Sequence, residues 1–406
     1  MAGQPQPGEP VPADGRLPES SADELWEAEF GIYVHVPFCL TRCGYCDFNT
    51  YTATELGSGA SRDSYAAMAI EEVKLAAKVL AGRAGQVQTV FFGGGTPTLL
   101  SPADLSSILR AIDGELGLAA GAEVTAEANP ETVDEDVLAG LRDGGFTRIS
   151  LGMQSAAPHV LEVLDRVHRP GRPEQCVQWA RAAGFDQISL DLIYGTPGES
   201  DSDWQLSLER ALSAGPDHIS AYSLIVEEGT RLAARIRRGE IPAPDDDVLA
   251  DRYVIADEIL SAAGLSWYEV SNWASSPSSE CRHNKLYWTG GNWWGIGPGA
   301  HSHAGGTRWW NVRHPAAYAE RIAAGVSPGQ AREILTDAER AIERIMLTTR
   351  LAAGCPVTEL GPAGLAAARQ AAADGLVCQE SLDAGRVRLT RTGRLLADAV
   401  IRGLTG

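Results

Sequence analysis

Between residues 31 and 224 the chain alternates short apolar runs with segments whose apolar residues recur at helical spacing. Helices between strands imply right-handed crossovers, which join the strands of one parallel sheet. Six such units fall short of the eight that close a (β/α)8 barrel, so the pattern predicts an α/β fold built as a partial, open (β/α)6 barrel. Ligands of such sheets bind beyond the carboxyl ends of the strands. The predicted strands are 31–36, 87–92, 123–128, 146–151, 187–192 and 218–224.

The segments on either side of this pattern differ from it in composition. Residues 1–28 carry five prolines and few apolar side chains, which predicts a disordered leader. The barrel is predicted to span 29–245, ending at a break rich in proline and aspartate. Residues 246–335 hold seven of the ten tryptophans and form a predicted Trp/Gly-rich extension. From residue 336 helices precede two predicted short strands, 376–380 and 386–389, which is typical of a winged-helix-like domain over 336–406.

Charge and hydropathy restrict the partners of the chain. The sequence has 53 acidic and 34 basic side chains, a net charge of −19. This balance argues against general binding to nucleic acids or anionic membranes, which needs a basic face. The four arginines between residues 386 and 394 therefore favour protein packing over DNA contact. There is no apolar run long enough to predict a transmembrane helix and no signal-peptide pattern, so we expect a soluble cytoplasmic protein.

Three of the seven cysteines lie just after the first predicted strand. Cys39, Cys43 and Cys46 have the spacing C-x3-C-x2-C. Thiolates are the ligands of iron–sulfur clusters, and three of them on one loop suggest a 4Fe–4S cluster whose fourth iron is open to a small molecule. A structural zinc, which needs a fourth ligand, and plain structural cysteines are the alternatives. At Cys176, Cys355 and Cys378 buried free thiols are the expectation.

Glycines and polar residues follow the next predicted strands. Residues 93–98 read Gly-Gly-Gly-Thr-Pro-Thr, and without a following lysine this run is not a phosphate-binding P-loop. It is either a turn or a place where the backbone approaches a ligand closely. A polar residue of this kind, taken alone, is more often a cap or a solvated group, but the strand ends of one sheet converge on one mouth, which favours a shared site. The polar residues are Glu127, Gln154, Asp191 and, on a following segment, Arg166.

A second candidate site lies in the extension. His283 begins the sequence His-Asn-Lys-Leu-Tyr-Trp, and a Gly-rich stretch over 295–303 follows. Neutral imidazole is a good axial ligand of heme iron, and aromatic side chains pack against a porphyrin. On chemistry alone, a histidine such as His283 is more often a hydrogen-bonded structural residue, and such aromatic residues more often form core.

From residue 31 to about residue 404, the sequence resembles the HemN/HemW family of radical S-adenosylmethionine (SAM) proteins. The resemblance implies that Cys39, Cys43 and Cys46 bind the cluster and that SAM chelates the open iron. It also implies SAM contacts at nine further positions. These are Tyr33, Tyr45, Gly94, Gly95, Thr96, Glu127, Gln154, Arg166 and Asp191.

Two motifs decide between the branches of this family. The coproporphyrinogen dehydrogenase branch, HemN, has a further cysteine two residues beyond the third ligand, where this chain has Phe48. The sequence H-N-x-x-Y-W from His283 to Trp288 is similar to the HemW branch, in which it is associated with heme. The resemblance thus implies a heme chaperone that passes heme to a soluble or membrane-bound acceptor hemoprotein. The alternative is a radical enzyme that decarboxylates coproporphyrinogen III, and whether SAM is cleaved is left open.

Overall fold

The computed structural model describes residues 8–26, 29–57 and 60–406. A large sheet runs through the molecule, with helices on its outer face. The strands are β1 (Glu9–Pro10), β2 (Phe30–Val36), β3 (Val87–Gly94), β4 (Leu118–Ala128), β5 (Arg148–Gln154), β6 (Gln187–Tyr194), β7 (His218–Ser223), β8 (Ser266–Glu269), β9 (Asn272–Ala274), β10 (Asn292–Ile296), β11 (His301–Ala304), β12 (Thr307–Asn311), β13 (Gly329–Ile334), β14 (Cys355–Pro356) and β15 (Arg386–Val387).

Most helices connect consecutive strands, as the alternating pattern predicts. The helices are α1 (Glu19–Asp23), α2 (Arg62–Leu80), α3 (Pro102–Leu116), α4 (Glu135–Asp143), α5 (Pro158–Val163), α6 (Arg172–Ala182), α7 (Asp201–Ser213), α8 (Arg231–Arg237), α9 (Asp246–Ala262), α10 (Arg282–Trp288), α11 (Pro315–Ala323), α12 (Asp337–Thr348), α13 (Pro362–Ala373), α14 (Gln379–Asp383), α15 (Arg391–Leu395) and α16 (Ala397–Thr405).

Strands β2 to β7 lie side by side in chain order and are all parallel, which confirms the predicted partial barrel. The extension adds strands at both edges of the same sheet. β10 pairs in parallel with β2 and is followed outward by antiparallel β11, β12, β13 and β1. At the other edge β9 and β8 continue from β7 in antiparallel fashion.

Side chains alternate between the two faces of the barrel strands. The outward positions, such as Val34, Phe92 and Ile149, are fully buried in one apolar cluster with residues of the surrounding helices. Burial of each such side chain contributes about 1.5–3 kcal/mol. The inward positions are mostly polar, and Ser150 and Asp191 are examples. An apolar outer face and a polar inner face therefore leave a polar interior at the carboxyl ends of the strands.

The prediction of a disordered leader is wrong for residues 8–26. β1 pairs with β13, with Glu9 opposite Arg332. The hydroxyls of Ser21 and Thr307 lie 2.6 Å apart, and the side chain of Leu25 is 1 % exposed within the barrel core. The proline-rich composition of this segment does not predict these contacts, because the segment packs against strands that lie far away in the sequence. Residues 1–7 and 27–28 lie outside the described residues.

Residues near the C-terminus pack around a second apolar cluster that includes Val387 and Leu404. The two short strands predicted at 376–380 and 386–389 do not pair with each other as strands in the structure. β15 pairs with β14, while the first predicted strand provides only a single bridge, between Val377 and Leu389, before α14 begins. Among the described residues, every helix is too short or too polar to cross a membrane.

Candidate functional site

The cysteine loop leaves β2 at the carboxyl end of the sheet and is held by backbone hydrogen bonds. The Tyr51 amide donates to the Pro37 carbonyl at 2.7 Å, closing the base of the loop. The Gly44 amide donates to the Leu164 carbonyl at 3.0 Å, and the Gly44 carbonyl accepts from Leu232 at 2.8 Å. The loop is therefore tied to the end of α5 and to the start of α8.

All three cysteines of this loop are free and half-buried. Burial raises the pKa of the Cys46 thiol to about 11 and also raises the pKa of Cys39. Among the described residues, no three His, Cys, Asp or Glu side chains converge on a single metal ion. An iron–sulfur cluster does not require its ligands to converge on one ion, because each thiolate binds a different iron. Three free thiols facing one cavity suit a cluster better than they suit zinc.

A cavity of about 720 Å³ opens where the predicted site residues meet. Its walls come from the cysteine loop and from the carboxyl-end segments of the barrel strands. It is lined by eleven of the thirteen predicted site residues, which are Cys39, Cys43, Tyr45, Cys46, Gly94, Gly95, Thr96, Glu127, Gln154, Arg166 and Asp191. Tyr33 and His283 lie outside this lining.

The glycine run packs directly against the base of the cysteine loop. Gly94 has φ +105°, in the region that favours glycine, and a Cβ there would lie 2.6 Å from the His35 ring. A Cβ on Gly95 would overlap the carbonyl oxygen of Phe38. The amide of Gly95 donates to Val36 at 2.8 Å. The glycines thus let two loops approach each other so closely that any larger residue would force them apart.

Two carboxyl groups face the cavity beside the glycine run. Glu127 accepts a hydrogen bond from the Gly94 amide at 3.1 Å. Burial, assisted by the charge of Asp191, raises the pKa of Glu127 to about 8. Burial also raises the pKa of Asp191, against the hydrogen bond that it accepts from Ser150 at 2.7 Å. Two desolvated carboxyl groups favour a cationic ligand, such as one that carries an ammonium or sulfonium group.

Gln154 and Arg166 present polar atoms to the same cavity. Gln154 has φ +59° and follows a register shift in β5 at Gly152, and such irregularities re-aim side chains at functional sites. The Arg166 guanidinium lies 3.7 Å from the Cys43 Sγ and donates to the Gly152 carbonyl at 3.0 Å. Gln154 Oε1 and Arg166 Nε are buried without a partner among the described residues. Buried polar atoms of this kind are expected to contact a ligand.

The cavity floor contains residues that sequence reasoning missed. Thr125 and Arg148 are neighbours across β4 and β5, and Thr125 Oγ1 and Arg148 Nη2 are buried without a partner among the described residues. The only sequence signal is that these residues alternate with apolar residues on strands. The missed lining residues include Phe91, Thr125, Arg148, Ser150, Ser189, His218, Ser220, Tyr222, Cys281 and Asn284.

His283 and Tyr33 lie together beside the cavity wall. His283 is 1 % exposed, with Nδ1 2.8 Å from the Thr89 hydroxyl and Nε2 2.8 Å from the Tyr287 hydroxyl. Burial lowers the pKa of His283 to about 3. The rings of Tyr33 and His283 stack with centroids 6.5 Å apart. Both ring nitrogens of His283 are therefore already used, and its role as a heme ligand stays a prediction.

Comparison with known proteins gives relatives over almost the whole chain. The family model described as the Radical SAM superfamily matches residues 33–211. The heme chaperone HemW of Mycobacterium tuberculosis strain H37Rv is 53% identical over 377 residues, covering 93% of this chain and 95% of that protein. The heme chaperone HemW of Synechocystis is 36% identical, covering 81% of this chain and 79% of that protein.

One solved structure has a similar fold over nearly its full length. The coproporphyrinogen III oxidase HemN from Escherichia coli, described as a radical SAM enzyme, superposes with a TM-score of 0.80. The match covers 97% of this chain and 94% of that chain at 22% identity. At this identity the likeness shows a shared fold and leaves the activity to be argued from the site.

Proposed function

The chain belongs to the HemN/HemW family of radical SAM proteins, and on that basis we propose that it is a heme chaperone. The observation that carries this proposal is the 53% identity to a protein named heme chaperone HemW over 93% of the chain. Under this proposal the chain binds heme and transfers it to an acceptor hemoprotein. We further propose that it acts in the cytoplasm and uses a 4Fe–4S cluster and SAM as cofactors.

Membership of the radical SAM superfamily implies the cluster and SAM, and the cavity residues suit both. Cys39, Cys43 and Cys46 would hold the cluster, because they are free thiols on one loop facing the cavity. Glu127 and Asp191 would face the cationic groups of SAM, and the glycine run would let its amino group approach the backbone. A reduced cluster with SAM supplies a one-electron cleavage of the sulfonium. The residues of this chain would orient SAM and keep the site partly shielded from water.

Phe48 favours the chaperone over the coproporphyrinogen dehydrogenase. It stands where the dehydrogenase branch has a further cysteine, so this chain offers no thiol at that position. Its side chain is 60 % exposed beside the cavity, where it contributes apolar surface in place of a reactive group. The motif from His283 to Trp288 agrees with this branch from a distant part of the chain.

The experiment that tests the proposal compares heme transfer with porphyrinogen turnover. The protein is purified without oxygen, its cluster is reconstituted, hemin is added, and the Soret band is followed. An apo-hemoprotein from the same organism is then added, with and without a reduced cluster. We expect stoichiometric hemin binding followed by transfer to the acceptor. Absence of hemin binding, or robust protoporphyrinogen formation from coproporphyrinogen III with SAM and a reductant, would overturn the proposal.

A further inference from the structure

Arg148 and Arg252 are both buried, but they differ in their ionic partners. The Arg252 guanidinium donates to the Glu199 carboxylate at 3.0 Å. Arg148 is 1 % exposed, and its Nη1 donates to the Ser279 carbonyl at 2.9 Å. Its Nη2 is buried without a hydrogen-bond partner among the described residues. Because an arginine side chain stays charged in proteins, Arg148 keeps both a charge and an unsatisfied donor inside the fold.

The carboxylate nearest to Arg148 among the described residues already has other partners. Glu123 Oε2 lies 4.0 Å from Arg148 Nη1. The Glu123 oxygens accept hydrogen bonds from the backbone amides of Arg282 at 3.1 Å and His283 at 3.0 Å, where α10 begins. The Cys281 thiol is a third and weaker donor, at 3.6 Å. Glu123 therefore stabilises the start of α10 and offsets the charge of Arg148 only in part.

A second unpartnered polar atom lies on the neighbouring strand. Thr125 on β4 is opposite Arg148 on β5, and its buried Oγ1 also lacks a partner among the described residues. Both side chains line the cavity, and we call them the floor pair. Thr125 precedes Glu127 by two residues, so the floor pair lies roughly 7 Å deeper along the strand than this predicted SAM contact.

The neighbouring histidine of the cavity floor is already hydrogen-bonded. His218 has Nδ1 2.7 Å from the Ser189 hydroxyl and Nε2 2.8 Å from the Tyr268 hydroxyl. It therefore leaves the floor pair unsatisfied. A guanidinium only donates hydrogen bonds, and a threonine hydroxyl can donate a further one. A ligand of the floor pair must accept hydrogen bonds, and it is held more strongly if it is also negatively charged.

Two carboxyl groups of the cavity lie close to the floor pair. Burial raises the pKa of Glu127 to about 8, so at neutral pH this group is mostly protonated in the absence of a cationic ligand. Asp191 accepts a hydrogen bond from the Ser150 hydroxyl at 2.7 Å, which offsets part of its charge. Without SAM, an anion at the floor pair is therefore repelled only weakly.

We propose that the floor pair is a subsite that binds a carboxylate. The planar guanidinium of Arg148 matches a carboxylate in shape and charge, and the Thr125 hydroxyl supplies a second donor. Water in the same place would accept the hydrogen bonds but would leave the charge of Arg148 partly uncompensated. The subsite goes beyond the proposed function, because it requires neither heme transfer nor SAM cleavage.

The carboxylate can belong to a small free acid or to a propionate of a tetrapyrrole. α10 adjoins the floor, because Cys281 and Asn284 line the same cavity. Phe91 also lines it, and its ring stacks on the His283 ring with centroids 5.3 Å apart. A tetrapyrrole at the motif from His283 to Trp288 would therefore lie beside this cavity. A small acid would enter from the mouth.

Acetate, titrated into the cluster-reconstituted full chain without SAM and followed by saturation-transfer NMR, tests the subsite. Arg148→Gln should weaken acetate binding by about 10- to 100-fold, because a charged hydrogen bond is lost. Thr125→Val should weaken it by about 2- to 10-fold, because a neutral hydrogen bond is lost. Arg210→Gln is the matched control for loss of an arginine, since Arg210 is 58 % exposed and lies outside the lining of this cavity.

Hemin and hemin dimethyl ester, titrated into the same variants, identify the source of the carboxylate. If the ligand is a propionate, Arg148→Gln should weaken the binding of hemin at least about tenfold more than that of the ester, which has no free carboxylate. If the ligand is a small acid, only acetate binding should respond. A structural effect of the substitution on α10 would change hemin and ester binding equally.

Three results overturn the subsite. The first is acetate binding that is unchanged in Arg148→Gln. The second is acetate binding that is lost only in Arg166→Gln, which would assign the anion to the arginine beside Cys43. The third is wild-type protein that binds no acetate and whose preference for hemin over the ester is unaffected by Arg148→Gln. If Arg148→Gln fails to fold by circular dichroism, unchanged acetate binding in Thr125→Val overturns the subsite. Failure of heme transfer overturns only the proposed function.

Discussion

Glu127 holds a carboxyl group where burial and the neighbouring Asp191 raise its pKa to about 8. At pH values of about 6 it is therefore protonated, whereas a cationic ligand such as SAM favours the ionised form. SAM that binds at a pH below the pKa of Glu127 must therefore displace the proton of this carboxyl group. We expect the Kd of SAM to fall between about pH 6 and about pH 7.5, by up to about tenfold per pH unit. Calorimetric titration measures this slope, and Glu127→Gln should flatten it.

Glu131 provides the matched control, because it lines the same cavity but is ion-paired. Burial alone would raise the pKa of Glu131, but hydrogen bonds and charge from Arg169 lower this pKa overall. The Glu131 carboxylate and the Arg169 guanidinium are 3.0 Å apart. Glu131→Gln should therefore leave the pH slope intact. A slope that survives Glu127→Gln would contradict the prediction. The effect on stability has a definite sign: the Glu127 contribution is complete below its ordinary pKa and is lost as the pH rises through about 8.

At the residue scale, site residues that belong to a local sequence motif can be predicted. Site residues whose role depends only on where they lie in the sheet cannot. The cysteine spacing and the glycine run are local patterns, so the cysteines and Gly95 could be predicted without coordinates. In the sequence, Arg148 shows only that it alternates with apolar residues within a predicted strand, and its inward orientation depends on the register with β4.

At the scale of elements, the local periodicity of the sequence predicts the barrel strands. It does not predict which strands pair when they lie far apart in the chain. The six central strands have continuous apolar outward faces, which a single sequence displays. β10 joins β2 in parallel, with Trp294 opposite Ile32, across most of the length of the chain. Nothing in the local sequence at either strand specifies that partner. The same reason explains why β1 was not predicted, since its partner is β13.

The leader offers a test of such distant packing. Leu25 is 1 % exposed within the barrel core, so Leu25→Ala should lower the free energy of unfolding by about 2–5 kcal/mol. Leu206 on α7 is 42 % exposed, and Leu206→Ala should change this free energy by no more than about 0.5 kcal/mol. Urea unfolding monitored by tryptophan fluorescence measures both. Equal stability of the two variants would mean that the leader does not contribute to the core.

At the scale of the whole molecule, the C-terminal region is attached to the barrel side by a largely buried ion pair. Arg394 on α15 donates to both carboxylate oxygens of Asp257 on α9, at 2.7 and 3.0 Å. The two side chains are 11 % and 10 % exposed. The guanidinium also lies 4.4 Å from the centre of the Trp267 ring. These contacts join the second apolar cluster to the elements that extend the barrel sheet.

Arg394→Ala should therefore destabilise the protein far more than loss of a surface charge. It leaves the Asp257 carboxylate buried with the Trp273 indole, at 3.1 Å, as its one remaining side-chain donor among the described residues. Breaking a buried pair in this way costs about 3–5 kcal/mol. Arg391 is the control on the same helix, because its pair with Glu258 is 46 % and 59 % exposed. Arg391→Ala should cost no more than about 1 kcal/mol.

A double-mutant cycle with Asp257→Asn separates the pair from other effects of the substitution. The coupling energy between Arg394 and Asp257 should exceed that between Arg391 and Glu258, because water screens the second pair. Thermal unfolding should also separate into two transitions in Arg394→Ala, since each part retains its own apolar cluster after the connection is weakened. Equal coupling energies, with one shared transition in Arg394→Ala, would show that apolar contact alone joins the two parts.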